Sequence, residues 1–237
     1  MRFKTLYETP IAYDDETESM AKRKVLDKDT NTTWTKTPPE HSSKEQILRW
    51  VETAITKKYL KGELLGRGST RVVQFNDGKT IFKFNYGKMP FGNQTQKEVE
   101  IYKEYKEKYS DILAKIYKSG DNWYIQELVH TVNPSSFEHA TGIDYNLWNA
   151  FIDLGQVNSS TLFSLYYRVG ANADQLIKAI VKDVGGERGK SFLQLLKSNE
   201  LKRIIEFCVQ SKVKIIDLDE RNLGLRNGKL VLLDWGL

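Results

Sequence analysis

Apolar positions first settle into a helical rhythm at Ile47, Leu48, Val51, Ala54 and Ile55, which fall on one face at that spacing. Ser42, with Glu45 three residues on, forms a capping-box pattern at the helix start, and Gly62 ends it. The run GELLGRGSTRVVQFNDGKTIFKFNYG then turns β-rich, with Asn76-Asp77-Gly78 between two strand-like stretches as a hairpin signal. From Gln94 to Tyr109 the rhythm is helical again, with Val99, Ile101, Tyr102 and Tyr105 apolar among many charges. A second hairpin follows in LAKIYKSGDNWYIQELV, turning at Ser119-Gly120-Asp121-Asn122. Residues 60–129 therefore predict β-β-α-β-β, a small antiparallel sheet with one helix.

Residues 143–211 read as almost wholly helical, in IDYNLWNAFIDL, SSTLFSLYYRV, NADQLIKAIVKDV and SFLQLLKSNELKRIIEFCVQ. Trp148, Phe151, Leu162, Phe163, Tyr166, Leu176, Ile180, Phe192, Leu195 and Leu196 are the expected core of these helices. The closing stretch VKIIDLDERNLGLRNGKLVLLDWGL returns to short strands with a turn at Asn227-Gly228. The expected organisation is a polar arm over 1–41 interrupted by Pro38-Pro39, a sheet-bearing region over 42–129 with its leading helix, and a helical region over 130–237.

At 237 residues the chain is long enough for one large domain or two lobes sharing a cleft. A hydrophobic share of 40% against 28% charged excludes a chain that is disordered or membrane-embedded throughout. No run approaches the roughly eighteen apolar residues of a spanning helix. The N-terminus lacks the basic-then-apolar pattern of a secretory signal, so a cytoplasmic setting is expected. The single cysteine, Cys208, lies in an apolar helical stretch and reads as a core thiol, with no Cys/His cluster to suggest zinc. The net charge of +5 is spread through stretches such as KEVEIYKEYKEKYSD, where bases and acids alternate. That is a solvated face with a mild attraction for phosphate, and it argues against a nucleic-acid stripe.

Five segments carry candidate chemistry. Leu65-Gly66-Arg67-Gly68-Ser69-Thr70-Arg71-Val72-Val73 offers glycines at Gly66 and Gly68 that let backbone N–H groups approach phosphates. Ile81-Phe82-Lys83 puts a lysine in an apolar strand, on the opposite face from Phe82 and Phe84. Glu98, in KEVEIYKEY, lies on a helix where Glu100 and Glu104 are rivals for any single role. Gln126-Glu127-Leu128-Val129 closes the second hairpin. Finally, Asp217 and Asn222 stand in a D-x-x-x-x-N relation, and Asp234-Trp235-Gly236 begins twelve residues later, after the apolar run Val231-Leu232-Leu233. Asp and Asn as ordinary turn formers would account for their presence, though not for this spacing before an apolar strand and D-x-G.

In this order the segments resemble the protein-kinase-like superfamily, over about residues 60–237. The resemblance covers protein kinases and the antibiotic kinases of aminoglycoside-phosphotransferase type. It implies an α+β, two-lobed fold: a small antiparallel-sheet lobe with one helix, and a reduced, mostly helical second lobe. It further implies ATP with Mg²⁺ or Mn²⁺ as cofactors. Gly66, Gly68, Ser69 and Val73 would cover the nucleotide, and Lys83, held by Glu98, would grip its phosphates. Backbone groups around Glu127 and Val129 would meet the adenine edge, with Gln126 limiting the depth of the pocket. Asp217 would take or orient the acceptor hydroxyl proton, while Asn222 and Asp234 would hold metal.

The match is incomplete. Ile215-Ile216 stand where the family has His-Arg, and Asp219 replaces a basic residue that helps neutralise the moving phosphoryl group. A third loop glycine would fall at Arg71. Leu237 stands one residue after the D-x-G glycine, and the expectation is a fold without the family's activation segment. The expected function is phosphoryl transfer to a protein or small-molecule hydroxyl. The alternatives are a pseudokinase or nucleotide-binding interaction module, and nucleotidyl transfer to protein on the same fold. The expected partners are a nucleotide and a protein substrate or protein partner, without a membrane. The compact design suggests a bacterial or viral source, and host cytoplasm in the viral case.

Overall fold

The structure is a computed structural model that describes residues 37–56, 64–65, 70–74, 79–85, 94–157, 172–213, 215 and 218–235. In chain order these form α1 (Lys44–Thr56), β1 (Leu64–Leu65), β2 (Thr70–Gln74), β3 (Thr80–Asn85), α2 (Gln94–Tyr109), β4 (Ile116–Ser119), β5 (Trp123–Glu127), β6 (His130–Thr131), α3 (Pro134–Thr141), α4 (Tyr145–Val157), α5 (Ala173–Val184), α6 (Gly186–Ser191), a 3₁₀ helix (Phe192–Lys197), α7 (Asn199–Ser211), β7 (Leu223–Arg226) and β8 (Lys229–Leu232). The class is α+β with two small antiparallel sheets. The chain divides into two compact units: one from Met1–Gln96 with Ile116–Glu127, the other from Lys97–Lys115 with Leu128–Leu237. All but the first three residues of α2 thus group with the second unit.

The first unit carries a five-stranded sheet in the order β1-β2-β3-β5-β4. It has one strand more than the pattern predicts, because Leu64-Leu65 pairs with Val72-Val73 as a two-residue edge. Phe82 and Phe84 leave one face of β3 and meet Ile47, Val51 and Ala54 of α1 together with Trp123. The Phe82 and Trp123 rings stack 5.7 Å apart, and Leu48, Trp50 and Ile125 close the edges. This is the apolar face predicted for α1; the side chain of Ile55, Gly62 and the turn Asn76-Asp77-Gly78 lie outside the described residues.

The start of α1 needs a correction of one residue. Ser43, not Ser42, makes the capping box, and its partner is Gln46 rather than Glu45. Gln46 N donates to Ser43 Oγ at 3.3 Å, and Ser43 N donates to Gln46 Oε1 at 2.7 Å. The Ser42 hydroxyl instead donates to the Pro39 carbonyl at 2.8 Å. Residues 37–41, the end of the expected arm, pack on the β4–β5 turn: Trp123 Nε1 donates to Pro39 O at 3.2 Å and Asp121 N to Glu40 O at 2.9 Å. Residues 1–36 lie outside the description.

In the second unit, β6, β7 and β8 form a three-stranded sheet. Asn227 (φ 54°) and Gly228 (φ 77°) turn β7 into β8, a pair of left-handed positions that an Asn-Gly turn supplies. The far edge of β8 is taken by the segment after α2. Leu232 N donates to Ile112 O at 2.7 Å, and Ala114 N to Leu232 O at 3.0 Å. Trp148, Phe151, Leu176, Ile180, Phe192, Leu195 and Cys208 are buried as the apolar pattern predicts, and Leu196 is half-buried. Leu162, Phe163 and Tyr166 lie outside the described residues.

Helix α3 and strand β6 do not emerge from the hydrophobic pattern. A local signal for α3 was nonetheless present: Asn133 caps it in a reciprocal box with Ser136, Pro134 follows at the first turn, and Gly142 ends it with φ 69°.

Gly224 in β7 marks the closest backbone approach in this sheet. A Cβ there would lie 2.8 Å from both His130 O and Val129 Cγ1. Gly224→Ala is therefore expected to destabilise the fold by about 1–3 kcal/mol through overpacking against backbone. Urea denaturation reads this, and an unchanged midpoint contradicts the packing.

Candidate functional site

The first unit contributes the residues of β3 and β5. Because Phe82 and Phe84 are committed to α1, Lys83 emerges on the other face of the sheet. Only 5% of it is exposed, and its Nζ lies 5.7 Å from the centre of the Tyr124 ring, within cation–π reach. In the register, Lys83 faces Tyr124 and Ile81 faces Gln126, so these four residues share that face. Gln126 is 0% exposed, and both Oε1 and Nε2 lack a hydrogen-bond partner among the described residues.

Glu127 ends β5, and the chain passes from the first unit to the second between Glu127 and Leu128. Gly66, Gly68 and Ser69 lie outside the described residues, as does the side chain of Val73. The backbone register sets Val72, rather than Val73, opposite Lys83.

The second unit gathers Glu98, Asn222 and Asp234. Among the four carboxylates of α2, burial separates one from its rivals: Glu98 is 1% exposed, whereas Glu100, Glu104 and Glu107 face solvent. The D-x-G tryptophan explains how the chain end reaches this helix. Trp235 is fully buried, its Nε1 donates to the Glu98 carbonyl at 3.0 Å, and its ring stacks on Tyr102 with centroids 6.2 Å apart. Phe207 of α7 meets the same indole edge-on. Asp234 precedes that anchor, and its Oδ1 is closed off from solvent.

The β7–β8 hairpin closes the twelve-residue gap between Asn222 and Asp234. Leu223 pairs with Leu232, and Leu233 N then donates to Asn222 O at 2.9 Å. Asn222 and Asp234 therefore stand at the same end of the hairpin. Val129, expected beside adenine, is buried in this unit against Ala114, Val231 and Leu233.

No family model, curated protein or solved structure matches the chain.

The loop before β7 is a compact turn. Leu218 is buried and its carbonyl accepts from Trp148 Nε1 at 3.1 Å, which ties the loop to α4. Asp219 Oδ1 accepts from Arg221 N at 2.9 Å, while Asp219 O accepts from Asn222 N at 3.0 Å. Asp219 thus acts as a turn former. The Arg221 guanidinium also grips its carboxylate, with Nε donating to Oδ2 at 3.1 Å, and this hydrogen bond raises the Arg221 pKa further. The Asp219 carboxylate therefore carries its own cation. Glu220 accepts from the Tyr145 hydroxyl. Asp217 lies outside the described residues.

Asn222 and Asp234 offer one carboxamide and one carboxylate. That oxygen set suits a hard divalent cation which keeps its remaining positions for water and phosphate oxygens. No group of three or more His, Cys, Asp and Glu side chains gathers to hold a metal among the described residues. Nor is any described helix long and apolar enough to cross a membrane.

Two phenols next to these elements have shifted titrations. Burial pushes Tyr145 up to about 12, helped by its bond to Glu220. Burial likewise raises Tyr109 to about 12, with Glu206 adding to the shift and Arg203 opposing it. Each holds its proton more tightly in the folded state than an unfolded tyrosine near 10. Their contribution is present in full below about pH 10 and is lost as pH rises towards 12. Denaturation midpoints should fall across that window, and Tyr145→Phe should flatten the decline; an unaltered slope in that variant contradicts the assignment.

Proposed function

We propose that this chain is an ATP-dependent phosphotransferase of protein-kinase-like type, acting on a hydroxyl of a protein or small molecule. The observation that carries the reading is the convergence of Asn222 and Asp234 at one end of a hairpin whose next residue, Trp235, is bound to the backbone of Glu98. Generic turn chemistry accounts for Asp219, but it gives no reason to bury a tryptophan against the one sequestered glutamate of α2. In the proposed reaction the acceptor oxygen forms a bond to the γ-phosphorus as its proton passes to Asp217. The bond from the γ-phosphorus to the β–γ bridging oxygen breaks, and ADP leaves. Lys83 serves the phosphates, the loop at Gly66, Gly68 and Ser69 covers them with backbone N–H groups, and Asn222 with Asp234 holds Mg²⁺ or Mn²⁺.

One observation favours a second reading, a nucleotide-binding interaction module. Arg221 is engaged with Asp219, so position 219 supplies no cation to a moving phosphoryl group. Nucleotidyl transfer to protein remains the third outcome of the same experiment.

The chain is incubated with γ-labelled or α-labelled ATP and Mg²⁺ or Mn²⁺, and its thermal unfolding is followed in parallel. A phosphotransferase transfers label from the γ position only. Label from the α position marks nucleotidyl transfer, and a rise in unfolding temperature without transfer marks a binding module. Asp217→Ala and Asp234→Ala are each expected to lower γ-transfer by about a hundred-fold or more. Glu98→Gln should also impair it, whereas Glu100→Gln and Glu104→Gln should not. Absence of both transfer and any nucleotide-dependent thermal shift contradicts the proposal.

A further inference from the structure

The buried carboxamide of Gln126 is an unusual feature of the first unit. A fully buried amide with no partner for its donor or its acceptor among the described residues is costly, because water satisfies both groups in the unfolded chain. An apolar side chain of similar volume would serve packing without that cost. Gln126 is not needed by the α1-facing core either, since it lies on the face of β5 shared with Lys83 and Tyr124. Lys83 and Gln126 are diagonal neighbours across β3 and β5, which places their backbones about 7–8 Å apart. One face of one sheet thus presents an ammonium group beside a side-by-side hydrogen-bond donor and acceptor.

We infer that Gln126 is a nucleobase-reading residue whose carboxamide pairs with the N6–N7 edge of adenine. The inference rests on the nucleotide-binding reading proposed above and goes beyond it by assigning the base selectivity to a side chain. Oε1 accepts from the exocyclic N6–H of adenine while Nε2 donates to N7, the two-bond match that a carboxamide makes with adenine. A 6-oxo purine presents acceptors at both positions, so Oε1 would face an acceptor and the pair fails. Binding adenine thereby satisfies two buried groups together, and this makes the selectivity larger than either bond alone would in water. Lys83, on the same face, takes the anionic end of the same ligand.

The test compares ATP, 7-deaza-ATP and inorganic tripolyphosphate, each with Mg²⁺, by calorimetry on the full chain and on Gln126→Met. Removing N7 from the ligand needs no mutation and deletes one of the two proposed bonds. The unsubstituted chain should bind 7-deaza-ATP about ten-fold more weakly than ATP. In Gln126→Met, which keeps volume and loses both polar groups, that ratio should fall to near one while tripolyphosphate affinity is unchanged. The ligand-free variant should also unfold at a higher temperature, since an unsatisfied buried amide has been removed. Equal affinities for ATP and 7-deaza-ATP in the unsubstituted chain, or a ratio unaltered by Gln126→Met, overturn the role of Gln126 and leave the nucleotide-binding reading standing. Failure of ATP and tripolyphosphate alike to bind overturns both.

Discussion

The second unit is organised around the docking of one indole. Trp235 donates its N–H to the Glu98 carbonyl and lies between Tyr102 of α2 and Phe207 of α7. Removing a tryptophan-sized surface of roughly 150–250 Å² from water is worth on the order of 4–6 kcal/mol as an upper bound. That is comparable to the net stability of many domains. The N–H bond adds direction to this otherwise undirected force: it sets the residue before Trp235 at a defined place on α2. A phenylalanine would fill much of the space, but it has no donor to offer the helix backbone. Packing and chemistry therefore share a single residue, and Asp234 inherits its position from its neighbour.

The other end of α2 is held by different physics. Carbonyls at a helix C-terminus lack intrahelical donors, and here two arginines from distant segments serve the last turn and the residues just after it. Arg226 donates to the carbonyls of Leu113, Ser110 and Asp111 at 3.1, 2.7 and 2.8 Å. Arg203 donates to Lys108 O at 2.7 Å and to both oxygens of Asp111, with its guanidinium 4.7 Å from the centre of the Tyr109 ring. Positive charge at this helix end also suits the macrodipole. Tyr105 and Lys108 add bonds to Gln210 of α7 at 2.8 and 2.7 Å. With the tryptophan near its start and the guanidinium groups at its end, most of α2 belongs physically to the unit that carries β7 and β8. Glu98, Asn222 and Asp234 consequently ride on one body.

What the chain reveals without coordinates depends on the range of the interaction that decides each feature. The bounds of α2, the turn at Asn227-Gly228 and the hairpin around Gly120 follow from local periodicity and turn chemistry, and all were legible. The start of α1 was legible only to within one residue, because Ser42-x-x-Glu45 and Ser43-x-x-Gln46 satisfy the same rule. The Pro39 carbonyl, which engages the Ser42 hydroxyl, breaks the tie. The separation of Glu98 from Glu100 and Glu104 was not legible from a helix dense in carboxylates. Burial decides it, and burial depends on tertiary packing that the helix's own sequence does not encode. The parallel bridge of Leu113 with Leu232 had no local signal either, since neither partner's neighbourhood encodes the other.

The acids near β7 show why spacing alone overstates a site and geometry narrows it. Asp219, Glu220 and Asp234 all lie within reach of the same motif in sequence, and any of them is a chemically reasonable oxygen ligand. Asp219 spends its carboxylate on the Arg221 backbone and guanidinium, and so forms the turn that presents Asn222. Glu220 accepts the Tyr145 phenol, a bond that ties the exposed side of the loop to α4. Drawing either carboxylate into a metal site would break a contact that shapes the loop, and in the case of Asp219 would also strand a guanidinium. At the other end of the hairpin, Asp234 stands beside Trp235, which supplies the anchoring there. The division of labour among neighbouring acids therefore makes Asp219 and Glu220 the scaffold of the turn that presents Asn222.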